Sequence, residues 1–335
     1  MMEKTSITNT NIETSRIGLG TWAIGGTQWG GTDEDQAVKT IEAALDKGIN
    51  LIDTAPGYGY GKAEEIVGKA INQNHHNRGD VVISTKAGMN WTDEGDFFRD
   101  STKARIHQEV EDSLKRLGTD YIDLYHIHWP DPLTPIYETA EALNYLYRQG
   151  KIKAIGVSNY TTEQIDVFQE AAPLHTIQVP HNLFERDSEK DILPYAHARN
   201  ITALYYSSLT RGMLSGKIHQ ESEFTGDDIR KSADPKFQGP YFQEYLQAVE
   251  ELDDLAQDRF GKSVAQLALK WNLQQPGNNI ALWGMRHPEQ LQPLNGLWDF
   301  EIDSDSMKDI DEILMRVIKK PVGPEFMAPP DRQNI

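Results

Sequence analysis

Short apolar runs alternate with longer stretches of helical period along this chain. The runs are Arg16–Ile24, Ile49–Asp53, Val81–Lys86, Tyr121–His128, Ala154–Asn159, Thr176–Asn182, Ile201–Leu209 and Ile280–Gly284. Between the first two, Asp33–Asp46 places Ala37, Val38, Ile41, Ala44 and Leu45 on one face of a 3.6-residue period. Thr32 is its predicted N-cap and Gly48 its predicted stop. Ala63–Ile71, Thr102–Leu117, Pro135–Tyr147, Glu163–Ala171, Glu189–Ala198, Ser263–Gln274 and Pro288–Leu294 read as further helices. Strands alternating with helices in this way build βαβ units around a parallel sheet. Eight such units predict a single-domain (β/α)8 TIM barrel over residues 1–335.

Two segments depart from that rhythm. Arg211–Pro240 is rich in Gly, Pro, Ser and charge and exceeds an ordinary βα loop, so it reads as a binding loop or a locally disordered one. Beyond the last unit, Ser306–Ile318 has a helical pattern. The tail Pro321–Pro330 that follows carries four prolines and the large apolar Phe326 and Met327, and is predicted to lie against the barrel.

Composition narrows the function. With 33 basic and 51 acidic residues the net charge is −18, which argues against a nucleic-acid partner. Any anionic ligand must then find a local basic cluster. The chain has no cysteine, so a thiol nucleophile, Cys-ligated zinc and iron–sulfur chemistry are excluded. Met1–Thr8 lacks the apolar core of a signal peptide, and no stretch approaches the ~18 apolar residues of a membrane span. The expectation is a cytoplasmic enzyme with no membrane partner.

Three motifs carry chemistry. Gly18-Leu19-Gly20-Thr21-Trp22-Ala23 matches a dinucleotide fingerprint, but the mechanism needs a helix to begin at once. Ile24-Gly25-Gly26-Thr27-Gln28-Trp29-Gly30-Gly31 reads as unable to start one, so a Rossmann site is rejected. His126 and His128 share one face of a strand, yet the eighth strand ends in Trp283-Gly284 without a carboxylate, so no metal site is assigned. His126 is instead expected as a hydrogen-bonded interior residue. The third motif is the strongest. Inward parity, read back from the strand ends, gives Ile49, Leu51 and Asp53, then Val82, Ser84 and Lys86, then Ile122, Leu124, His126 and His128. Asp53, Lys86 and His128 therefore meet at the barrel mouth, and Tyr58 follows on a turn-rich segment.

A free phenol, with a pKa of about 10, is a poor acid near neutrality. A lysine beside it is expected to lower that value, an aspartate to keep the lysine charged, and a neutral histidine to hold a carbonyl oxygen. Such a set suits carbonyl reduction by a hydride donor.

These residues resemble the aldo-keto reductase superfamily over essentially the whole chain. The likeness rests on Gly20-Thr21-Trp22, Asp53-Thr54-Ala55-Pro56-Gly57-Tyr58, Ser84-Thr85-Lys86, Asp123–Pro130 and Gly156-Val157-Ser158-Asn159. Arg211–Lys217 and Gly323–Pro330 are most similar to a bacterial branch of general-stress-type reductases. The resemblance implies a barrel that binds NADPH/NADP+ in extended form. It makes Tyr58 the general acid, Lys86 and Asp53 its tuning pair, and His128 the group that positions the carbonyl. It implies that Ser158, Asn159 and Gln178 hold the nicotinamide carboxamide, that Tyr206 stacks on the ring, and that Gly20, Thr21, Trp22, Asp53, Ser207, Leu209 and Gly212 complete the cofactor wall. Arg211, Lys217 and Arg230 would meet the pyrophosphate. Gly284, Arg286 and Gln290 would hold the adenosine end, with Arg286 on the 2′-phosphate. Pro293 and Leu294 stand where many relatives carry Glu and Asn against adenine. Trp22, Trp29, Tyr58, Trp91, Trp129 and Phe326 are candidate walls for a small carbonyl substrate. The activity implied is NADPH-dependent reduction of small aldehydes and ketones. The alternatives are NADP-dependent oxidation of a sugar or alcohol, and a redox-sensing module that holds NADP(H).

Overall fold

The computed structural model describes residues 2–73 and 76–334. Eight parallel strands close a barrel, and their order around it follows the chain. They are Ile17–Gly20, Leu51–Asp53, Val82–Ala87, Ile122–Ile127, Ile152–Ser158, Thr176–Pro180, Thr202–Tyr206 and Asn279–Gly284. Each predicted run overlaps one of them; the third strand runs on to Ala87, the fifth begins at Ile152 and the eighth at Asn279, outside the predicted bounds.

Alternation along the strands sorts the apolar residues into two cores. Leu51, Val82, Leu124, Ala154, Leu204, Ile280 and Leu282 fill the barrel axis, together with Ile7. Ile7 follows the first strand of an N-terminal hairpin, Lys4–Ser6 against Glu13–Ser15, that plugs the bottom. Each Val, Leu and Ile among them contributes roughly 1.5–3 kcal/mol by leaving water. The outer core lies between strands and helices. Ile49 and Ile122 were expected inside but belong to that outer core; Ile49 precedes its strand and Ile122 is the first residue of its own, where parity read back from the far end no longer holds.

The helices lie close to the expected bounds, including Glu34–Asp46, Lys62–Gln73, Lys103–Leu117, Ile136–Arg148, Thr162–Gln169 and Val264–Leu273. Asp33, not Thr32, caps the first of these, accepting the Gln36 amide at 3.0 Å. Gly48 has φ +87° and ends its turn as expected. The segment 189–198 resolves into a 3₁₀ turn, Asp187–Lys190, and a helix, Ile192–Ala198. Pro288–Leu294 is 3₁₀ rather than α.

The first run is corrected more substantially. Its strand stops at Gly20, and a single helical turn, Trp22–Gly25, begins almost at once. At four residues, closed by Gly26 at φ +86°, it is a corner rather than a Rossmann helix. The long segment after the seventh strand is ordered as short helical turns, Thr210–Ser215, Ile229–Ser232 and Pro235–Phe237. It leads into a 22-residue helix, Gly239–Phe260, to which no element had been assigned. Its buried residues Phe242, Tyr245, Val249, Leu252 and Ala256 form a narrow stripe on an otherwise acidic helix.

The tail does lie against the barrel. The Val322 amide donates to Tyr245 Oη at 3.0 Å, and the Arg99 amide donates to Pro330 O at 3.0 Å. Arg332 pairs with Asp131, just beyond the fourth strand.

Candidate active site

A cavity of about 930 Å³ opens at the C-terminal ends of the strands, where barrel enzymes carry their chemistry. Every catalytic and cofactor residue assigned above by resemblance lines this one cavity except Lys86. Lys86 is fully buried one step behind the surface.

The second and third strands, side by side, bring Asp53 and Lys86 together. Lys86 Nζ lies 2.7 Å from Asp53 Oδ2 and 2.8 Å from Thr54 O. Ser84 Oγ and Gln178 Nε2 donate to Asp53 Oδ1 at 2.8 and 2.9 Å. Tyr58 reaches this pair from the turn after the second strand. That turn packs on the Trp22–Gly25 corner so tightly that a Cβ on Gly59 (φ +67°) would sit 2.2 Å from Gly25 O. The corner in turn lays Trp22 along the Tyr58 ring, with centroids 6.2 Å apart. Lys86 Nζ stands 4.9 Å from the Tyr58 centroid, and the His128 ring meets Tyr58 edge-on at 5.7 Å.

The electrostatics of this cluster correct one expectation. Burial, then the Asp53 charge, pushes the Tyr58 phenol well above its ordinary value, so Lys86 does not lower it here. Burial also lowers Lys86, against the pull of Asp53. His128 is driven well below the usual histidine range by burial and then by the Lys86 charge, which leaves it neutral. His126 is the expected interior residue. Thr176 Oγ1 lies 2.9 Å from its Nε2, and burial brings its pKa to about 4.

The amide groups at the cavity floor are already partnered. Asn159 donates to His128 O and Ser158 Oγ, both at 3.0 Å, and accepts from Tyr206 Oη at 2.8 Å. Ser158 and Gln178 line the cavity beside it.

The expected basic cluster is reshaped by acidic partners. Arg211 is buried, with Nη2 2.7 Å from Glu185 and Nε 2.5 Å from Asp234. Lys236 also reaches Glu185 at 2.7 Å. Burial opposes ionisation of Glu185, but Arg211 and Lys236 outweigh it and hold its pKa at about 2. Arg211 therefore lines the cavity without offering the net positive charge expected of it. Arg230 is likewise paired, to Asp228 at 2.6 Å, between the faces of Trp29 and Phe224. Lys217 and Arg286 have no ion pair among the described residues. Gln290 Oε1 accepts the Arg286 and His287 amides at 2.7 and 3.0 Å, so that part of its side chain serves as a local cap.

One element over the cavity was not foreseen. Asp227 accepts the Gln28 and Gly30 amides at 2.7 and 3.0 Å, while Arg286 donates to Trp29 O and Gly31 O at 3.0 and 2.5 Å. The loop after the first strand is thereby held from two sides, by Asp227 of the loop after the seventh strand and by Arg286 just beyond the eighth. Asp227, Asp228, Glu185, Asp234 and Lys236 were all missed. The only signal for the loop residues was the interleaving of acids with bases between Arg211 and Pro240. The aromatic walls are as expected except Trp91, which packs behind Tyr60 and Phe97 rather than lining the cavity.

Comparison with known proteins shows the family. The model of the Aldo/keto reductase family matches residues 16–315. The chain belongs to that family. It is an oxidoreductase acting on carbonyl groups, and the family uses nicotinamide cofactors. Aldo-keto reductase YhdN of Bacillus subtilis (strain 168) is 59% identical over 334 residues, covering 100% of both chains. The NADH-specific methylglyoxal reductase of Escherichia coli (strain K12) is 37% identical over 305 residues, 87% of this chain and 92% of that one. The solved structure of glycerol dehydrogenase AKR11B4 from Gluconobacter oxydans superposes with a TM-score of 0.87 at 50% identity, covering 97% of this chain and 99% of that one. Within the family fold, no helix among the described residues is long and apolar enough to cross a membrane, and no acidic or histidine cluster there could hold a metal ion.

Proposed function

We propose that this reductase-family chain reduces small aldehydes and ketones with NADPH. The observation that carries the reading is the Tyr58–Lys86–Asp53–His128 cluster at one end of a cavity whose other end presents Arg286 without a counter-ion. The cavity walls fit such a cofactor. They present Trp29 Nε1, buried there without a partner among the described residues. When bound, the nicotinamide supplies hydride.

Tyr58, held protonated, gives its Oη proton to the carbonyl oxygen. Lys86 then lies beside the phenolate that forms, and its charge matters at that moment rather than before it. Asp53 holds Lys86 in place, and neutral His128 donates a hydrogen bond to the same oxygen. Ser158, Asn159 and Gln178 would hold the carboxamide, with Tyr206 against the ring. Lys217, with Ser207, Leu209, Gly212, Arg211 and Arg230, would face the pyrophosphate. Gly20, Thr21, Trp22, Gly284 and Gln290 would line the remainder. Arg286 is the reader of a 2′-phosphate, which a guanidinium binds well.

The reverse reaction is the second reading, favoured by the name of the 50%-identical glycerol dehydrogenase. Microscopic reversibility gives the same residues the same places in it. The test is steady-state oxidation of NADPH and NADH against small aldehydes and ketones, with NADP+ reduction by glycerol and other polyols in parallel. Fast NADPH oxidation is expected. Turnover on polyols alone would move the assignment to the reverse reaction, and equal use of NADH would remove Arg286 from the 2′-phosphate.

A further inference from the structure

On the outer face of the third barrel strand, away from the cavity, two buried carboxylates grip the backbone that carries Lys86. Glu64, on the helix Lys62–Gln73, accepts Thr85 Oγ1 at 2.6 Å. Glu109, on the helix Lys103–Leu117, accepts the Gly88 amide at 2.9 Å. Neither is more than 1% exposed.

The Glu109 bond is one link of a chain. The Ala87–Gly88 peptide gives its N–H to Glu109 and receives, on its carbonyl, the His128 amide at 2.8 Å. Gly88 has φ +89°, and a Cβ there would sit 2.5 Å from Ser101 Oγ, so no side chain can lock this peptide. Its orientation depends on the two hydrogen bonds. Arg105 completes the arrangement, with Nη2 2.9 Å from Glu109 Oε1 and 3.4 Å from Met89 O. Met89 begins the hairpin Met89–Trp91/Phe97–Arg99, and Met89 and Phe97 line the cavity.

We propose that Glu109 is a positioning residue for the site: ionised, it fixes the Ala87–Gly88 peptide and so the backbone of His128 and of Lys86 on either side, and protonated, it accepts that N–H more weakly and loosens the peptide. The inference rests on the roles proposed above for His128 and Lys86.

Burial raises Glu109 to about 7, against the pull of Arg105 and the Gly88 amide. Three other ionisable groups lie near it. Glu64 raises it further, Arg116 on its own helix is paired with Glu64 at 2.6 Å, and Tyr125 comes from the fourth strand. The Tyr125 hydroxyl is kept protonated by burial, then by Glu109 and Glu64. The ionised, gripping form of Glu109 is therefore lost as pH falls through about 7. Stability runs the other way. Because the folded value is raised from 4.5, the protonated carboxyl favours the fold, and that contribution fades as pH rises from 4.5 to about 7.

The test is the pH profile of kcat, with NADPH and a small aldehyde, for the wild type and Glu109→Gln. The wild type should lose about threefold to tenfold on an acid limb near pH 7. Glu109→Gln should lack that limb and run near the wild type's low-pH rate, with KM for NADPH unchanged. A limb that survives in Glu109→Gln would overturn the proposal. Hydrogen exchange at the Gly88 amide of the wild type is a second measurement that needs neither the variant nor turnover. Its protection, corrected for intrinsic exchange, should fall about tenfold between pH 8 and pH 6. Constant protection would overturn the proposal even in an active enzyme, whereas pH-dependent protection in a chain that reduces no carbonyl would count against the function instead.

Discussion

At the Tyr58 end of the cavity a single ammonium, Lys86, is sealed against a single carboxylate, Asp53, and the tyrosine and histidine beside them are held neutral. At the Arg286 end, cations line the wall, yet Arg211 and Arg230 are neutralised by Glu185, Asp234 and Asp228. Of the four cations that line the cavity, only Lys217 and Arg286 lack an acidic partner among the described residues. The first region isolates one charge for a moment in a reaction. The second uses most of its charge to build a loop. In a chain of net charge −18, an arginine on a cavity wall is therefore as well explained by a carboxylate of the protein as by an anion from outside.

Substitutions can break this contrast at either end. The largest effect is expected for Tyr58→Phe, which removes the proposed proton donor. Its kcat should fall by roughly 10²–10⁴-fold, with the NADPH dissociation constant, measured by fluorescence titration, nearly unchanged. Near-wild-type turnover would dismantle the proposed chemistry.

Arg211→Ala comes next and should act on stability. It leaves Glu185 and Asp234 buried with fewer counter-charges, a loss of about 3–5 kcal/mol, read from denaturant midpoints. The same pair sets an acid limb. Glu185, depressed from 4.5 to about 2, contributes stability above its ordinary value that is lost as pH falls through that interval. Arg211→Ala should flatten this slope. A variant as stable as the wild type that binds NADPH weakly would make Arg211 a ligand residue instead.

Arg286→Ala should weaken NADPH about 10- to 100-fold and NADH little, the size of a charge-assisted phosphate contact. Equal losses for both cofactors would place its role in the clasp on Trp29 and Gly31 alone. The smallest effect is expected for Asp227→Ala, which opens that clasp from the other side. It should speed NADPH release by about threefold to tenfold, the value of one or two exposed hydrogen bonds, in a stopped-flow displacement experiment. An unchanged rate would show that the two loops do not close over the cofactor.

Much of this molecule was legible in its residues. Alternation within short apolar runs fixed the eight strands, and parity from their ends brought Asp53, Lys86 and His128 to one mouth. Parity works there because a parallel barrel repeats one geometry around its axis, so sequence position converts directly into place. The helix Gly239–Phe260 escaped because its apolar stripe is narrow and sits among acids. The N-terminal hairpin escaped because its strands, Lys4–Ser6 and Glu13–Ser15, are three residues each and polar.

What the sequence by itself determined, then, is the barrel, the membership of the mouth cluster and the demand for local positive charge. The tertiary structure alone decided which cations answer that demand. It also decided that Tyr58 is kept protonated rather than primed as a phenolate, and that Asp227 and Arg286, from two distant segments, hold the loop after the first strand. The physical reason is range. Strand parity is a local property of the backbone, whereas a pKa or an ion pair depends on burial and on partners such as Glu185 and Arg211, which lie far apart in the chain and meet only when it folds.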